Sequence, residues 1–277
     1  MSGILYIVAT PIGNLADITL RALDVLKEVN VIAAEDTRHT MKLLNHYQIS
    51  TKTMALHDHN EKQIAAKVVE RLQQGQTIAL VSDAGTPLIS DPGYALVNAC
   101  REAGVTVMPI PGPSATIAAL CCAGLPTNEF SFRGFTPPKS HARQAFYQKL
   151  AGLSETMVCY ESPRRLLASI EDLIVIMGEQ QQIVMAKELT KTYETFFYGT
   201  AIQLKEWLVE DENRQKGEIV LIIKGKEKAA TAIPEEAMTL MTLLQEELPL
   251  KKAAAITAKH FDLKKNDLYK AGLAEQA

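Results

Sequence analysis

Val81-Ser82-Asp83-Ala84-Gly85-Thr86-Pro87-Leu88-Ile89-Ser90-Asp91-Pro92-Gly93 decides how the rest of the chain reads. It continues from Thr77–Val81, a short run of the kind found at the centre of a parallel sheet. Ser82 to Gly93 holds two Asp, two Gly, two Pro, two Ser and one Thr. Neither helix nor strand tolerates that composition, because Pro removes a backbone donor and Gly raises the entropic cost of order. Small residues let backbone approach a ligand closely. Asp83 and Asp91 place carboxylates at the carboxyl end of the strand, where open α/β sheets bind ligands. The competing reading is a double turn whose Asp and Ser side chains cap a helix over Tyr94–Ala103.

Outward from this stretch, Ile4–Ala9, Val31–Ala34, Lys52–Leu56 and Thr106–Ile110 read as further strands. Helices are expected over Leu20–Val29, capped by Asp17 or Thr19, over Met41–His46, and after Glu61 through Gln74. The alternation argues for a mostly parallel α/β sheet. Its strand-ending loops, Thr10–Leu15, Glu35–His39, His57–Glu61, Ser82–Gly93 and Pro111–Ala115, then share one edge, and the polar residues collect there. GxGxxG and P-loop patterns are both missing, which argues against a dinucleotide or nucleoside-triphosphate site of those kinds.

After Pro111 a second α/β unit with a mixed sheet is expected. Its strands are Glu129–Phe135, Thr156–Tyr160, Ile183–Lys187, Tyr193–Gly199 and Glu218–Lys224. Its helices are Ser114–Ala123 (buried), Pro163 through Met177, and Thr200–Val209, with a mobile basic segment at Pro137–Arg143. Glu227–Ile233 reads as a linker and Pro234–Glu247 as a helix. Leu250–Tyr269 reads as a miniature helix-turn-helix broken at Phe261-Asp262-Leu263. The expected divisions are residues 1–113, 114–226 and 227–277. From Lys251 to Lys270 six Lys face two Asp, a local basic patch that suits nucleic acid or, alternatively, a capping hairpin with a solvated face.

The 277 residues are 47% hydrophobic and 22% charged, ordinary for a globular chain, and the formal net charge is −3. Any nucleic-acid site is therefore a local patch. Cys100, Cys121, Cys122 and Cys159 show no CxxC spacing; Cys121 and Cys122 lie in an apolar run and read as core residues. This argues for a reducing cytoplasm, with neither a disulfide framework nor a metal site. The first residues lack the basic and long apolar regions of a signal peptide, and no apolar run has membrane-spanning length.

Six stretches in order carry a resemblance: Val8–Leu15, Ala34–Thr40, Leu56–Glu61, Val81–Gly93, Pro111–Ala115 and Tyr160–Ser162. Together they resemble the tetrapyrrole-methylase-like S-adenosylmethionine-dependent methyltransferases. Within them, they resemble the bacterial branch that methylates a ribose 2′-hydroxyl of a cytidine in small-subunit (16S) ribosomal RNA. Porphyrin-precursor methylases carry Gly-Pro-Gly-Asp after the first strand, where this chain has Pro11-Ile12-Gly13-Asn14, and their central loop is shorter. Both departures point toward the RNA branch. The resemblance implies two α/β domains with the methyl-donor cleft between them, a small helical C-terminal extension, and a homodimer. It implies donor contacts from Pro11, from Asp83, Ala84, Gly85, Pro87 and Leu88, and from Ser114 and Ala115. Tyr160, Glu161, Ala186 and Glu218 would close the site from the second domain.

Methyl transfer from a sulfonium to an alcohol mainly requires alignment, and a positioned base helps a ribose hydroxyl attack. Glu35, Asp36, His57, Glu161 and Glu188 are the candidates for that base, with Lys187 or Lys191 to stabilise a developing alkoxide. No spacing selects one of them. Glu35 and His57 head the two polar clusters on the expected strand-end edge, which suit substrate positioning. Arg38 is a candidate for the site and for RNA, or an ion pair with Glu35 or Asp36. Lys139, Arg143, Arg164, Arg165, Lys251, Lys252, Lys264 and Lys265 are candidate phosphate contacts, with Arg164 and Arg165 alternatively exposed helix residues that pair with Glu161. The other functional readings are a methylase of a tetrapyrrole or another small molecule, and a non-catalytic ribosome-assembly factor.

Overall fold

The computed structural model describes residues 3–57, 60–226 and 233–275. Four apolar residues without polar alternation suit a strand covered on both faces. Ile78–Val81 (β4) is such a strand, and none of its residues is more than 1% exposed. It lies between β2 (Val31–Ala34) and β1 (Ile4–Val8) in a five-stranded sheet of order β3-β2-β4-β1-β5. β3 is Thr53–Ala55 and β5 is Thr106–Ile110. Every pairing is parallel, so the carboxyl ends share one edge.

The crossover helices are α1 (Leu20–Glu28), α2 (Thr37–His46), α3 (Glu61–Gln73) and α4 (Tyr94–Glu102). Of the two expected caps of α1 it is Thr19 whose hydroxyl accepts from Ala22 N, at 3.1 Å, a contact typically worth about 1 kcal/mol. α2 starts four residues earlier than its apolar pattern suggests, because the Asp36 carboxylate accepts from Arg38 N at 2.8 Å and caps it. Arg38 and His39 are therefore helical, not part of a loop.

The second sheet has the order β6-β7-β10-β8-β9. Its strands are β6 (Phe130–Phe135), β7 (Thr156–Glu161), β8 (Gln182–Lys187), β9 (Thr195–Thr200) and β10 (Ile219–Ile223). Only β6 and β7 pair in parallel, so the sheet is mixed, as its closely spaced final strands predict. α6 (Ser140–Leu150), α7 (Leu166–Met177) and α8 (Ala201–Glu210) cover one face around Tyr147, Leu173 and Leu204. α5 (Ala115–Cys122) packs on the other face with Val158, Val184 and Val220.

Two expectations fail here. The basic segment ends in α6, and Arg143 is only 3% exposed. Its guanidinium meets Asp172 of α7 at 2.5 Å and donates to Pro137 O and Pro138 O. Arg143 is thus a buried structural ion pair and not a phosphate contact. Cys121 and Cys122 are exposed, because α5 buries only the face carrying Thr116, Ala119 and Leu120.

Both sheets belong to one compact unit, Met1–Gly225, and Lys226–Ala277 is a second. The second contains α9 (Glu235–Gln245), α10 (Leu250–Phe261) and α11 (Lys265–Glu275) around Met241, Ala253, Ala254 and Leu268. Asp262 adopts left-handed backbone between α10 and α11, at the expected break. Asp58, His59 and the linker expected at Glu227–Ile233, except Ile233, lie outside the described residues. Among the described residues no helix is long and apolar enough to cross a membrane.

Candidate functional site

The loop leaving β4 is built on its neighbours. Thr10 N donates to Gly85 O at 2.8 Å and Gly85 N to Thr10 O at 3.0 Å, which ties it to the loop after β1. The Thr86 hydroxyl donates to Pro113 O at 3.0 Å, which ties it to the loop after β5. Gly85 has φ +81, where a side chain is strained. Leu88 (φ 73) and Ser90 (φ 71) take left-handed backbone without being glycine. Such residues cost about 1–3 kcal/mol each and collect at ligand sites, held by the structure around them. The N-cap position of α4 is Gly93, which has no side chain to offer, and Glu61 of α3 accepts from Leu96 N at 2.9 Å.

Between this loop and the second sheet lies a cavity of about 430 Å³. Ile12, Glu35, residues 83–86 and 89–91 line it from the first sheet, and Ser114 and Ala115 from the start of α5. Phe135, residues 160–163, Leu189 and residues 218–220 line it from the second. Its size falls in the range of about 300–1,000 Å³ typical of small-molecule and cofactor sites, and so does its make-up of apolar walls with a few polar groups. Ser114 makes no side-chain cap for α5, so the first-turn N–H groups beside the cavity are open to a ligand's acceptor atoms.

The carboxylates near the cavity differ in environment. Asp83 Oδ1 accepts from Asp36 N at 3.0 Å. The Arg38 guanidinium hydrogen-bonded to Asp36 holds that carboxyl down to about 2. Glu161 is 2% exposed and accepts from the Thr136 hydroxyl, from Ser162 N at 2.6 Å, and from Arg165 at 3.3 Å. Burial pushes the Tyr160 phenol above its usual range despite its bond to the Thr116 hydroxyl at 3.0 Å, so it stays neutral. Burial works to raise Glu188, yet Glu218 N and Lys191 hold it below the usual range. Lys191 bridges Glu188 at 2.9 Å and Glu218 at 3.0 Å.

The loops after β1 and β8 meet at the cavity's floor. Asn14 N donates to the Thr190 hydroxyl at 3.1 Å. A Cβ at Gly13 would lie 2.5 Å from Lys191 Cγ and 3.0 Å from Leu189 O, so only glycine fits.

Of the residues singled out from sequence, the fold brings Glu35, Asp83, Ala84, Gly85, Ser114, Ala115, Tyr160, Glu161 and Glu218 to this cavity. Pro11, Pro87, Leu88 and Ala186 lie outside its lining. Leu88 packs on Leu80 through the space a Gly93 side chain would fill, and Ala186 is buried in the core beside Ile12 and Leu189. Arg38 is exposed and ion-paired with Asp36, and His57 sits ahead of α3, beyond the lining. Glu188 and Lys187 face another groove. Sequence reasoning misses Ile12, Phe135 and Leu189 as lining residues, although Ile12 belongs to the quoted Pro11–Asn14 turn. Among the candidate phosphate contacts Lys139, Arg164, Lys251, Lys252, Lys264 and Lys265 are exposed, and Arg165 is committed to Glu161.

Known proteins resemble this chain over its whole length. Residues 4–205 match the family of Tetrapyrrole (Corrin/Porphyrin) Methylases, and residues 231–276 match the RsmI C-terminal HTH domain. A Vibrio cholerae protein named "Ribosomal RNA small subunit methyltransferase I" is 56% identical across 98% of this chain and 94% of its own. One of the same name from Escherichia coli O157:H7 is 54% identical across 99% and 96%. Among solved structures, the methyltransferase CobJ superposes with a TM-score of 0.59 at 17% identity, covering 81% of this chain and 95% of that one. Uroporphyrin-III-C-methyltransferase from Thermus thermophilus superposes with 0.56 at 18% identity, covering 80% and 94%. These two likenesses establish a shared fold.

Proposed function

From the premise that this chain belongs to the tetrapyrrole methylase family, we propose that it is an S-adenosylmethionine-dependent methyltransferase of ribosomal RNA. It transfers a methyl group to the ribose 2′-hydroxyl of a cytidine in the small subunit's 16S RNA. One observation carries the substrate class: the likeness to relatives named for ribosomal RNA methylation continues through the C-terminal helical unit, whose exposed Lys251, Lys252, Lys264 and Lys265 have no use in a small-molecule methylase. The same reading makes the protein a cytoplasmic homodimer.

The cavity fits the donor. Backbone at Ala84, Thr86 and Ser114–Ala115 offers polar groups at close range, and Ile12, Leu189 and Val220 supply an apolar slot. Asp83 and Glu218 supply acceptors for ammonium and hydroxyl groups. When bound, S-adenosylmethionine supplies a methyl group already activated as a sulfonium, so the protein's share of catalysis is alignment. Glu35, at the carboxyl end of β2 and in the lining, takes the proton of the ribose hydroxyl. Asp36, tied to Arg38, is too weak a base for that step. Glu161 holds Thr136 and Ser162 in place, and Arg38 beside the site contacts the RNA.

The test is transfer of labelled methyl from S-adenosylmethionine to small ribosomal subunits from a strain lacking this protein, followed by nucleoside analysis. Labelled 2′-O-methylcytidine is the expected product. Donor binding with no label in RNA, but label in a tetrapyrrole precursor, would assign a small-molecule methylase. No donor binding at all would leave an assembly factor.

A further inference from the structure

A second groove, of about 820 Å³, lies beside the loop between β8 and β9 and the segment between α8 and β10. It backs onto the donor cavity. Glu188 and Gly217 line the groove while their sequence neighbours Leu189 and Glu218 line the cavity, so one thin wall separates the two. Glu188 (φ 53) and Gly217 (φ 94) both take left-handed backbone to make that wall.

The groove is lined by three carboxylates, Glu188, Glu194 and Asp211, and three cations, Lys187, Arg214 and Lys216. Each carboxylate in it is already engaged: Glu188 with Lys191, Glu194 with Thr190 N at 2.5 Å, and Asp211 with Asn213 N at 2.8 Å. Arg214 is paired with Glu210 and stacks over Trp207. Two ammonium groups remain. Lys187 donates to Asn213 O at 2.7 Å and Lys216 to Asn213 Oδ1 at 2.9 Å. Among the described residues neither has an ion pair with a carboxylate. These two ammonium groups converge on one asparagine, with the Lys187 charge also acting on Glu188, and Tyr193, 75% exposed, stands in the same groove. Cations that accept phosphate beside an exposed aromatic ring that accepts a base are the two elements of a single-stranded nucleic-acid track.

We infer that this groove holds the RNA strand next to the methylated nucleotide, with Lys187 and Lys216 on backbone phosphate and Tyr193 under an unstacked base. The inference rests on the RNA-methyltransferase reading above and extends it with a second contact surface across the wall from the donor.

The test uses the full-length chain, a labelled single-stranded RNA oligonucleotide matching the substrate region, and calorimetry with S-adenosylmethionine. K187Q/K216Q is expected to lower the slope of log affinity against log salt by about 1.4, roughly 0.7 for each phosphate of a single strand that a lysine no longer neutralises. Y193A, at an exposed position where misfolding is not at issue, is expected to weaken RNA binding about tenfold with the salt slope unchanged. Donor affinity should be unchanged in both, which also reports that they are folded. RNA affinity and slope equal to wild type in both variants would overturn the groove alone. Wild-type protein that binds no RNA would overturn the groove and the functional reading together.

Discussion

Asp83 Oδ1 accepts the backbone N–H of Asp36 at 3.0 Å, so the loop leaving the central strand holds the end of its neighbour β2. Asp36 in turn caps α2 and binds Arg38. One carboxylate therefore sets both the wall of the cavity and the approach to it.

Asp83→Ala removes that acceptor. A hydrogen bond to a charged group is typically worth about 1.5–3 kcal/mol, so donor affinity measured by calorimetry should fall at least tenfold. Asp83→Asn keeps an oxygen facing Asp36 N and should lose less. Equal affinity in wild type and D83A would remove Asp83 from the site.

Gly13→Ala drives a Cβ into Leu189 O and Lys191 Cγ. Overpacking of this kind typically costs about 1–3 kcal/mol. The thermal midpoint should drop, and donor binding should weaken with it, because Ile12 and Leu189 on either side of the contact line the cavity. A variant as stable and as tight-binding as wild type would show that the two loops do not need each other.

Arg143→Met leaves Asp172 buried without its cation, a loss of about 3–5 kcal/mol that denaturant unfolding would register. RNA affinity of the folded protein should not change. Burial works to raise Asp172, yet hydrogen bonds from Gln144, Ser140 and Arg143 and the Arg143 charge hold it below the usual range. Its contribution is thus full above the unfolded value of about 3.9 and is lost as pH falls through the lower folded value. Asp172→Asn should flatten the acid limb of the stability profile below about pH 4. An unaltered acid limb would mean that the pair does not set it.

K251Q/K252Q/K264Q/K265Q should lower the salt slope of RNA binding by about 0.7 for each single-strand phosphate that these lysines neutralise, with donor affinity intact. An unchanged slope would reduce the lysine face to a solvated surface.

The fold is legible in the sequence because apolar runs such as Ile78–Val81 and Val31–Ala34 are strands wherever turn residues bound them, and the strand-end loops follow from the parallel order. What the sequence conceals depends on partners far along the chain. Nothing near Arg143 announces Asp172, 29 positions on, so a basic residue in a Pro-rich segment reads as exposed. The run Ala115–Cys122 is apolar on all sides, but it lies on one face of one sheet, which leaves Cys121 and Cys122 outside. α2 starts early because Asp36 caps it, a signal present in Asp36-Thr37-Arg38 but outweighed by the lack of apolar residues before Met41. The polar part of the cavity is visible in residues 83–91. Its apolar part is not, since Phe135 reads as an ordinary strand end and Leu189 as an ordinary turn residue until the fold brings them to one cavity.

The most direct measurement is mass spectrometry of small-subunit RNA nucleosides from three strains: one lacking this protein, and that strain carrying either the wild-type chain or D83A. The account predicts 2′-O-methylcytidine restored by the wild-type chain, absent from the deletion, and absent or strongly reduced with D83A. The nucleoside persisting at full level in the deletion, or restored equally by D83A, would contradict it.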